Sequence, residues 1–431
     1  MNNNNPTSHQ TRFGLLPSDW SCLSLGDLVH DVSYGSSSKS AKVGNVPVLR
    51  MGNMQDGFLD WNDLVYTSDA VEISKYELKK NTVLFNRTNT VDLVGKAAIY
   101  RGERPAIYAG YLIKINNKPE LLNSEYLNYV LNTNQIKSYN KLILSVAVSQ
   151  ANINGQKLKT YPIPVPPHID EQTAIASALS DVDTLLTELE KLIAKKQAIK
   201  TASMQQLLTG KTRLPQFATY TEGADEGKRK GTKSSELGKI PEDWDVEKIG
   251  SVVSITTGSR NTQDKLSSGK YPFFVRSQTI ERIDTYSFDG EAVLTAGDGV
   301  GTGKIFHYIN GKFDYHQRVY LMHNFGDRID GYYFYIYFSN FFYDRIMSMT
   351  AKSSVDSVRR EMIADMLITL PSKEEQVATA TILSDMDNEI QTLEQRLTKT
   401  RQIKQGMMQQ LLTGRTRLPL KKHETEQDGG S

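Results

Sequence analysis

Apolar residues step by four and three through Ile175, Leu179, Val182, Leu186, Leu189 and Ile193, the spacing of a heptad seam rather than of a strand. The same phase returns at Leu383, Met386, Ile390, Leu393 and Leu397, with Thr379 weakening its start. Neither run holds Pro or Gly before Gly406, while Gly210 and Gly414 each follow Leu-Leu-Thr and precede a Pro. The pattern predicts two long helices, each stopped by glycine. From Asp170 to Thr209 the first would run roughly 40 residues, about 60 Å. A narrow apolar stripe needs a partner, and the economical one is the other copy. The plain alternative is a core helix packed on its own domain, but such helices are usually much shorter. The seam turns polar at Lys196 and Lys200, matched by Thr400 and Lys404, and Ile199 and Ile403 drift round the surface. The far third is therefore expected to meet some other surface.

These helices belong to an internal repeat. Pro167–Pro215 aligns without a gap on Pro371–Pro419 at a constant offset of 204, with about half the positions identical, which marks a duplication. Glu171-Gln172 returns as Glu375-Gln376, and Met204–Gly210 as Met408–Gly414. A second repeat has an offset of 224: Leu16-Pro17-Ser18-Asp19-Trp20 returns as Ile240-Pro241-Glu242-Asp243-Trp244. Both Trp residues read as anchors of a domain's first strand.

Between the repeats lie two regions of weak mutual identity. The division is 1–15 disordered, 16–166 first variable domain, 167–215 first helix, 216–239 flexible linker, 240–370 second variable domain, 371–419 second helix and 420–431 disordered tail. Strands are expected at Val46–Met51, Thr82–Phe85, Lys96–Tyr100 and Ala106–Ile115, and helices at Ser124–Leu131, Gln135–Ile143 and Gly331–Met347. Tyr161–Pro167 is too rich in proline for helix. If the long helices pair antiparallel, the domains would sit at opposite ends, related by a pseudo-twofold axis.

Lys plus Arg is 51 against 49 acids, a net charge of +2, so any nucleic-acid face must be local. The single Cys22 excludes an internal disulfide and fits a reducing cytoplasm; no apolar run approaches a membrane span. Gly297–Lys304 resembles a phosphate loop, but Asp298 and Ile305 stand where Gly and Ser or Thr are required. It reads as a Gly-rich turn that lets backbone approach a partner. No metal-ligand spacing, nucleophile signature or amino-methylation motif is present. His316 and Arg318 read as polar contacts beside a strand rather than a catalytic pair. Two differing domains on a rigid spacer suit recognition.

The Glu-Gln helices, the Gln-Gln-Leu-Leu-Thr-Gly ends, both Pro-x-Asp-Trp segments and the Pro-rich lead-in together resemble the specificity subunit (HsdS) of type I restriction–modification enzymes, from about Leu16 to Pro419. The resemblance implies an α+β protein: two α/β target recognition domains separated by a pair of long antiparallel coiled-coil helices. Each domain would read one half of a split double-stranded DNA target. The helices would set the spacing and dock two methyltransferase (HsdM) subunits, and motor–nuclease (HsdR) subunits would complete the enzyme. S-adenosylmethionine, ATP and Mg2+ would be used by those partners, with no cofactor bound and no catalysis performed by this chain.

Base edges are read by donors and acceptors in the major groove, and Lys and Arg hold the phosphates. The candidates are Arg50, Arg87, Lys96, Gln150 and Asn152 in the first domain, and Arg276, Lys304, His316, Gln317, Arg318 and Arg359 in the second. Arg50 and Arg276 stand out because they recur at matched positions. Rival readings are the equivalent subunit of a system whose methylase and nuclease are fused, a coiled-coil adaptor that binds proteins only, and a stand-alone enzyme.

Overall fold

The computed structural model describes residues 8–147, 150–349 and 357–419. The chain divides into two compact units: Met1–Glu190 with Arg396–Ser431, and Lys191–Gln395.

In the first unit, β1 (Val29–Tyr34), β2 (Val46–Leu49), β3 (Thr82–Asn86), β4 (Ala97–Tyr100), β5 (Ile107–Tyr108) and β6 (Leu112–Asn117) carry the fold. β4, β3, β6 and β1 form one sheet in that order, and β5 runs parallel to β2 in another. The single strand expected over Ala106–Ile115 is broken by a turn at Ala109–Tyr111, where the Leu112 N–H returns to the Ala109 carbonyl. The strand expected over Val46–Met51 stops at Leu49 and passes into a 3-10 turn at Met51–Asn53. Two helices, α1 (Ser124–Leu131) and α2 (Asn134–Ile143), pack Tyr126, Leu127, Val130 and Ile136 into the core. The long helix α3 follows (Ile169–Leu207).

The second unit repeats this plan. β7 (Ser254–Thr257), β8 (Tyr271–Phe274), β9 (Phe288–Ala296), β10 (Phe306–Tyr315) and β11 (Val319–His323) lie in one sheet ordered β7-β11-β9-β10-β8, edged by Glu281–Ile283. The strand order of the first unit recurs, but β4 and β5 have become one continuous strand, β10. Helix α4 (Gly331–Ser348) lays Phe334, Phe338, Phe342 and Ile346 into the core, and α5 (Lys373–Leu411) is the second long helix.

The repeated residues form a matching lock in each unit, alike but for one bond: Trp244 Nε1 has a carboxylate partner and the buried Trp20 Nε1 has none among the described residues. In the second, the Arg213 guanidinium donates through Nε to Glu375 Oε1 at 2.9 Å and through Nη1 to Asp243 Oδ1 at 2.8 Å. Trp244 Nε1 donates to the same Glu375 at 3.1 Å. In the first, Arg417 bonds Glu171 and, at 2.8 Å, Asp19. Gly210 (φ +68°) and Gly414 (φ +66°) turn the chain between helix and arginine; a Cβ on Gly210 would lie 2.3 Å from Pro241 and one on Gly414 2.7 Å from Pro17. Both repeats thus exist to meet each other: helix end and glycine against Pro-x-Asp-Trp, with the helix-start glutamate buried between them. Buried Gln172 accepts from the Asn123 N–H (2.9 Å) and donates to the Leu121 carbonyl (3.0 Å). Gln376 does the same to Asp330 and Arg328, both at 2.8 Å. The Glu-Gln pair therefore clamps helix to variable domain.

The long helices run antiparallel within each unit, joined by Lys404–Asp183 and Arg401–Glu190 in the first and by Lys200–Asp387 and Lys196–Glu389 in the second. Lys200 and Lys404 turn the seam polar because each reaches a carboxylate on the other helix. Beyond them the far third does meet another surface: Leu208 with Met204 and Leu207 packs in the core of the second unit, and Leu411 and Leu412 with Met407 and Met408 in that of the first, while Ile199 and Ile403 stay exposed. The seam is also not uniform. Ile175 and Leu179 share a core with α1 and with Leu411 and Leu412, and Leu383 shares one with α4 and Leu208. Leu189, Ile193 and Ile390 are buried further along, whereas Val182, Leu186, Met386, Leu393 and Leu397 are half-buried.

Two expectations about the connecting segments change. The stretch 1–15 was expected to be disordered, yet Ser8–Gln10 pairs with Leu15–Pro17, since Phe13 and Leu16 are core residues that pull it in; residues 1–7 lie outside the described residues. The linker 216–239 holds a Thr219–Arg229 bridge and the strand Thr232–Ser235, paired with Gly238–Pro241. The tail 420–431 lies outside the described residues. Among the described residues, no helix is long and apolar enough to cross a membrane.

Candidate nucleic-acid interface

A shared backbone frame relates the two units more closely than their sequences do. Leu49 pairs with Tyr108 where β2 meets β5, and Phe274 with Tyr315 where β8 meets β10. The Tyr108 hydroxyl meets Ser33 Oγ at 3.2 Å, and the Tyr315 hydroxyl meets Thr256 Oγ1 at 3.3 Å. Gly35 and Gly258 each pass so close to the carbonyl after that tyrosine's Cα that a Cβ would lie about 2 Å from it. The next turn then matches: the Arg87 N–H bonds the Tyr111 carbonyl at 3.1 Å, and the Gly297 N–H bonds the Arg318 carbonyl at 2.8 Å. The Ile153 N–H bonds the Arg87 carbonyl at 2.9 Å, and the Val358 N–H bonds that of Gly297 at 2.7 Å. By these bonds Ala109–Tyr111 corresponds to His316–Arg318, and Thr88 to Asp298.

In the second unit the structure brings four candidates together on this frame. Arg276 Nη1 bonds Asp298 Oδ1 at 2.8 Å, and Arg318 Nη1 bonds Asp298 Oδ2 at 2.5 Å. Burial pushes the Asp298 carboxyl upward, but the two guanidinium hydrogen bonds outweigh it and hold the group below its ordinary value. His316 is not a surface contact; it is buried, and its Nδ1 accepts from the Arg318 N–H at 3.0 Å. Burial, and then the neighbouring Arg276 charge, lower its pKa, so the neutral ring serves as the acceptor that shapes the turn. Gln317 Nε2 donates to Asn261 Oδ1 at 2.7 Å. Beneath lies Asp314, fully buried, accepting from Thr285, Ser287 and Arg260 at 2.7, 2.7 and 3.1 Å.

Lys304 and Arg359 stand apart from this group. Lys304 is exposed, its Nζ 5.0 Å from the Tyr343 ring on α4. Arg359 is exposed just before the short helix Arg360–Ala364. The Gly-rich turn does bring backbone close, but to its own helix: a Cβ on Gly303 (φ +71°) would lie 2.3 Å from Ile346 Cδ1.

In the first unit Arg87 lies 4.7 Å from the Tyr34 ring and donates to the Gly110 carbonyl at 3.3 Å. Asn152 Nδ2 donates to Thr88 Oγ1 at 2.7 Å, and exposed Gln150 sits on the same strand. These three share one three-stranded patch with the turn. Lys96 instead reaches Gln55 at 3.2 Å. Arg50 bonds the Asp63 carbonyl at 2.8 Å. Its match to Arg276 fails by one residue: Arg50 directly follows Leu49, whereas Val275 intervenes between Phe274 and Arg276. Sequence reasoning missed Asp298, an acid inside an expected basic face, and exposed Tyr111, the counterpart of Arg318. Neither carries a signal until the units are aligned by their hydrogen bonds.

Two copies of one α/β fold, each presenting a differently furnished turn on a common frame and each tied to the long helices, define a recognition protein built by duplication. The chain belongs to the family described as type I restriction modification DNA specificity domain, whose profile matches residues 17–201 and again 241–404. It is 27% identical to the putative type I restriction enzyme MjaX specificity subunit of Methanocaldococcus jannaschii, over 95% of this chain and 96% of that one. The type I restriction enzyme MjaVIII specificity subunit of the same organism is 24% identical over 94% of each. The crystal structure of the type I restriction–modification system S subunit from M. genitalium has the same fold, with a TM-score of 0.61 at 14% identity, covering 95% of this chain and 97% of that chain.

Proposed function

We propose that each unit reads one half of a bipartite double-stranded DNA target, and that the helix pair sets the spacing and docks two methyltransferase subunits. Motor–nuclease subunits complete a restriction enzyme in this reading. S-adenosylmethionine, ATP and Mg2+ are used by those partners; this chain contributes recognition and no chemical step. The observation that carries the reading is the common frame with different tips. Arg318 stands where Tyr111 stands, and Asp298 where Thr88 stands, so the scaffold is kept while the groups able to meet base edges change. The local pair Arg276 and Arg318, on a chain of net charge +2, suits a confined DNA-facing patch in the second unit rather than general polyanion binding.

The test is replacement of residues 240–370 by the corresponding domain of another family member, followed by sequencing of the methylated sites. One half-site should change and the other persist. A folded, partner-bound chimera that loses both halves, or an assembled protein with no DNA preference at all, would return it to a protein-only adaptor.

A further inference from the structure

The Arg276–Asp298–Arg318 group has features that phosphate binding does not need. A phosphate contact requires positive charge alone, and a carboxylate held between two arginines lowers that charge. What the carboxylate supplies is orientation. Each arginine binds Asp298 through one terminal nitrogen, and among the described residues the other nitrogens of both forks have no hydrogen-bond partner. The side chains remain 40% and 62% exposed, so a planar edge of each fork is open. The backbone beneath is pinned: Arg318 by His316 Nδ1 and Gly297, and Asp298 by its bridge to Ser357. Each Asp298 oxygen is engaged by one arginine, so the carboxylate faces the two forks and is charge-compensated by them.

Planar, pre-oriented guanidinium forks match the O6 and N7 acceptors that guanine presents in the major groove, a geometry that lysine does not reproduce. The corresponding positions in the first unit are Thr88 and Tyr111, so the device is private to the second. Resting on the DNA-reading role above, we propose that Arg276 and Arg318 form a guanine-reading clamp, with Asp298 as the positioning residue that holds both forks. The half-site read by the second unit then contains guanine at one or two positions.

The experiment uses the full chain assembled with its methyltransferase, on duplexes carrying 7-deazaguanine in place of each guanine in turn; this base lacks the N7 acceptor. The half-site of the second unit is first assigned by the domain replacement above. Substitution at the clamped guanines should weaken binding about 5- to 150-fold, the range of a good bidentate contact. Asp298→Asn should lose discrimination at those same positions while affinity for unrelated DNA holds or rises, an outcome that mere misfolding does not produce. A wild-type enzyme indifferent to 7-deazaguanine throughout that half-site, or a half-site without guanine, overturns the clamp and leaves the wider DNA-reading role intact. Failure to assign any half-site to residues 240–370 overturns both.

Discussion

Arg417 grips Glu171 across 246 positions of chain, and the carboxylate it grips has a side chain only 2% exposed. Removing one partner of a buried pair leaves the other charge stranded, at about 3–5 kcal/mol. Arg213 is 8% exposed and Arg417 37%, so solvent compensates the loss more fully in the first unit. Arg213→Met is expected near the top of that range and Arg417→Met at or below its foot. Chemical denaturation of the two variants checks the order; equal losses would show that the difference in arginine burial does not set the strength of the two locks.

Truncation after Gly406 should damage the variable domain that lies farthest from the cut in sequence. It removes Leu411 and Leu412 from the core that holds Trp20, Ile175 and Leu179. Two buried leucines contribute about 3–6 kcal/mol. Hydrogen exchange should show residues 16–166 losing protection while 240–370 keep theirs.

Acid should act first on the second unit. Burial holds His307, His316 and His323 below the ordinary histidine range. Below about pH 6.5 the unfolded chain therefore binds protons that the folded unit does not. Stability is complete above that pH and falls as pH drops through the window. The lowered carboxylates Asp298 and Asp314 lose their contribution only at still lower pH. Thermal unfolding of residues 240–370, followed by hydrogen exchange from pH 7.5 to 5, should show the decline. His323→Gln should shallow it, and a flat profile would remove buried histidines as its source.

Spacing offers a fourth check. Adding one heptad to each long helix, after Leu189 and after Leu393, keeps the stripe in phase and lengthens each helix by about 10 Å. At about 3.4 Å per base pair the two half-sites should move roughly three base pairs apart, or specific methylation should fail because one reading face has turned round the duplex. Full-rate methylation at the original spacing by a stable mutant would show that the helices are not the ruler.

The helices were legible because their repeat is long and periodic: the expected Asp170–Thr209 is observed as Ile169–Leu207. The pairing of Pro-x-Asp-Trp with glycine and arginine was present as two separate repeats, but their different offsets hid that they touch. The equivalence of the variable domains was not legible. It is written in backbone hydrogen bonds, which accept almost any side chain, and it survives in sequence only at scattered points such as Gly35 and Gly258, or Tyr126 and Tyr333, the buried third residues of α1 and α4. Insertions shift the offset between those points, so Arg50 and Arg276 looked matched when they are not. Asp298 was visible only as a fault in a phosphate-loop pattern.

The closure of the first unit by Leu411–Arg417 fixes an order of events during synthesis. The second unit is contiguous, Lys191–Gln395, and can close as soon as it clears the ribosome, whereas the first must wait for residues made after Arg396. At about 5–20 residues per second, the apolar site around Trp20 stays open for roughly 10–40 s after Glu190 is made. The half of the protein that emerges first is thus the last to be finished. Cellular chaperones have that interval in which to hold it.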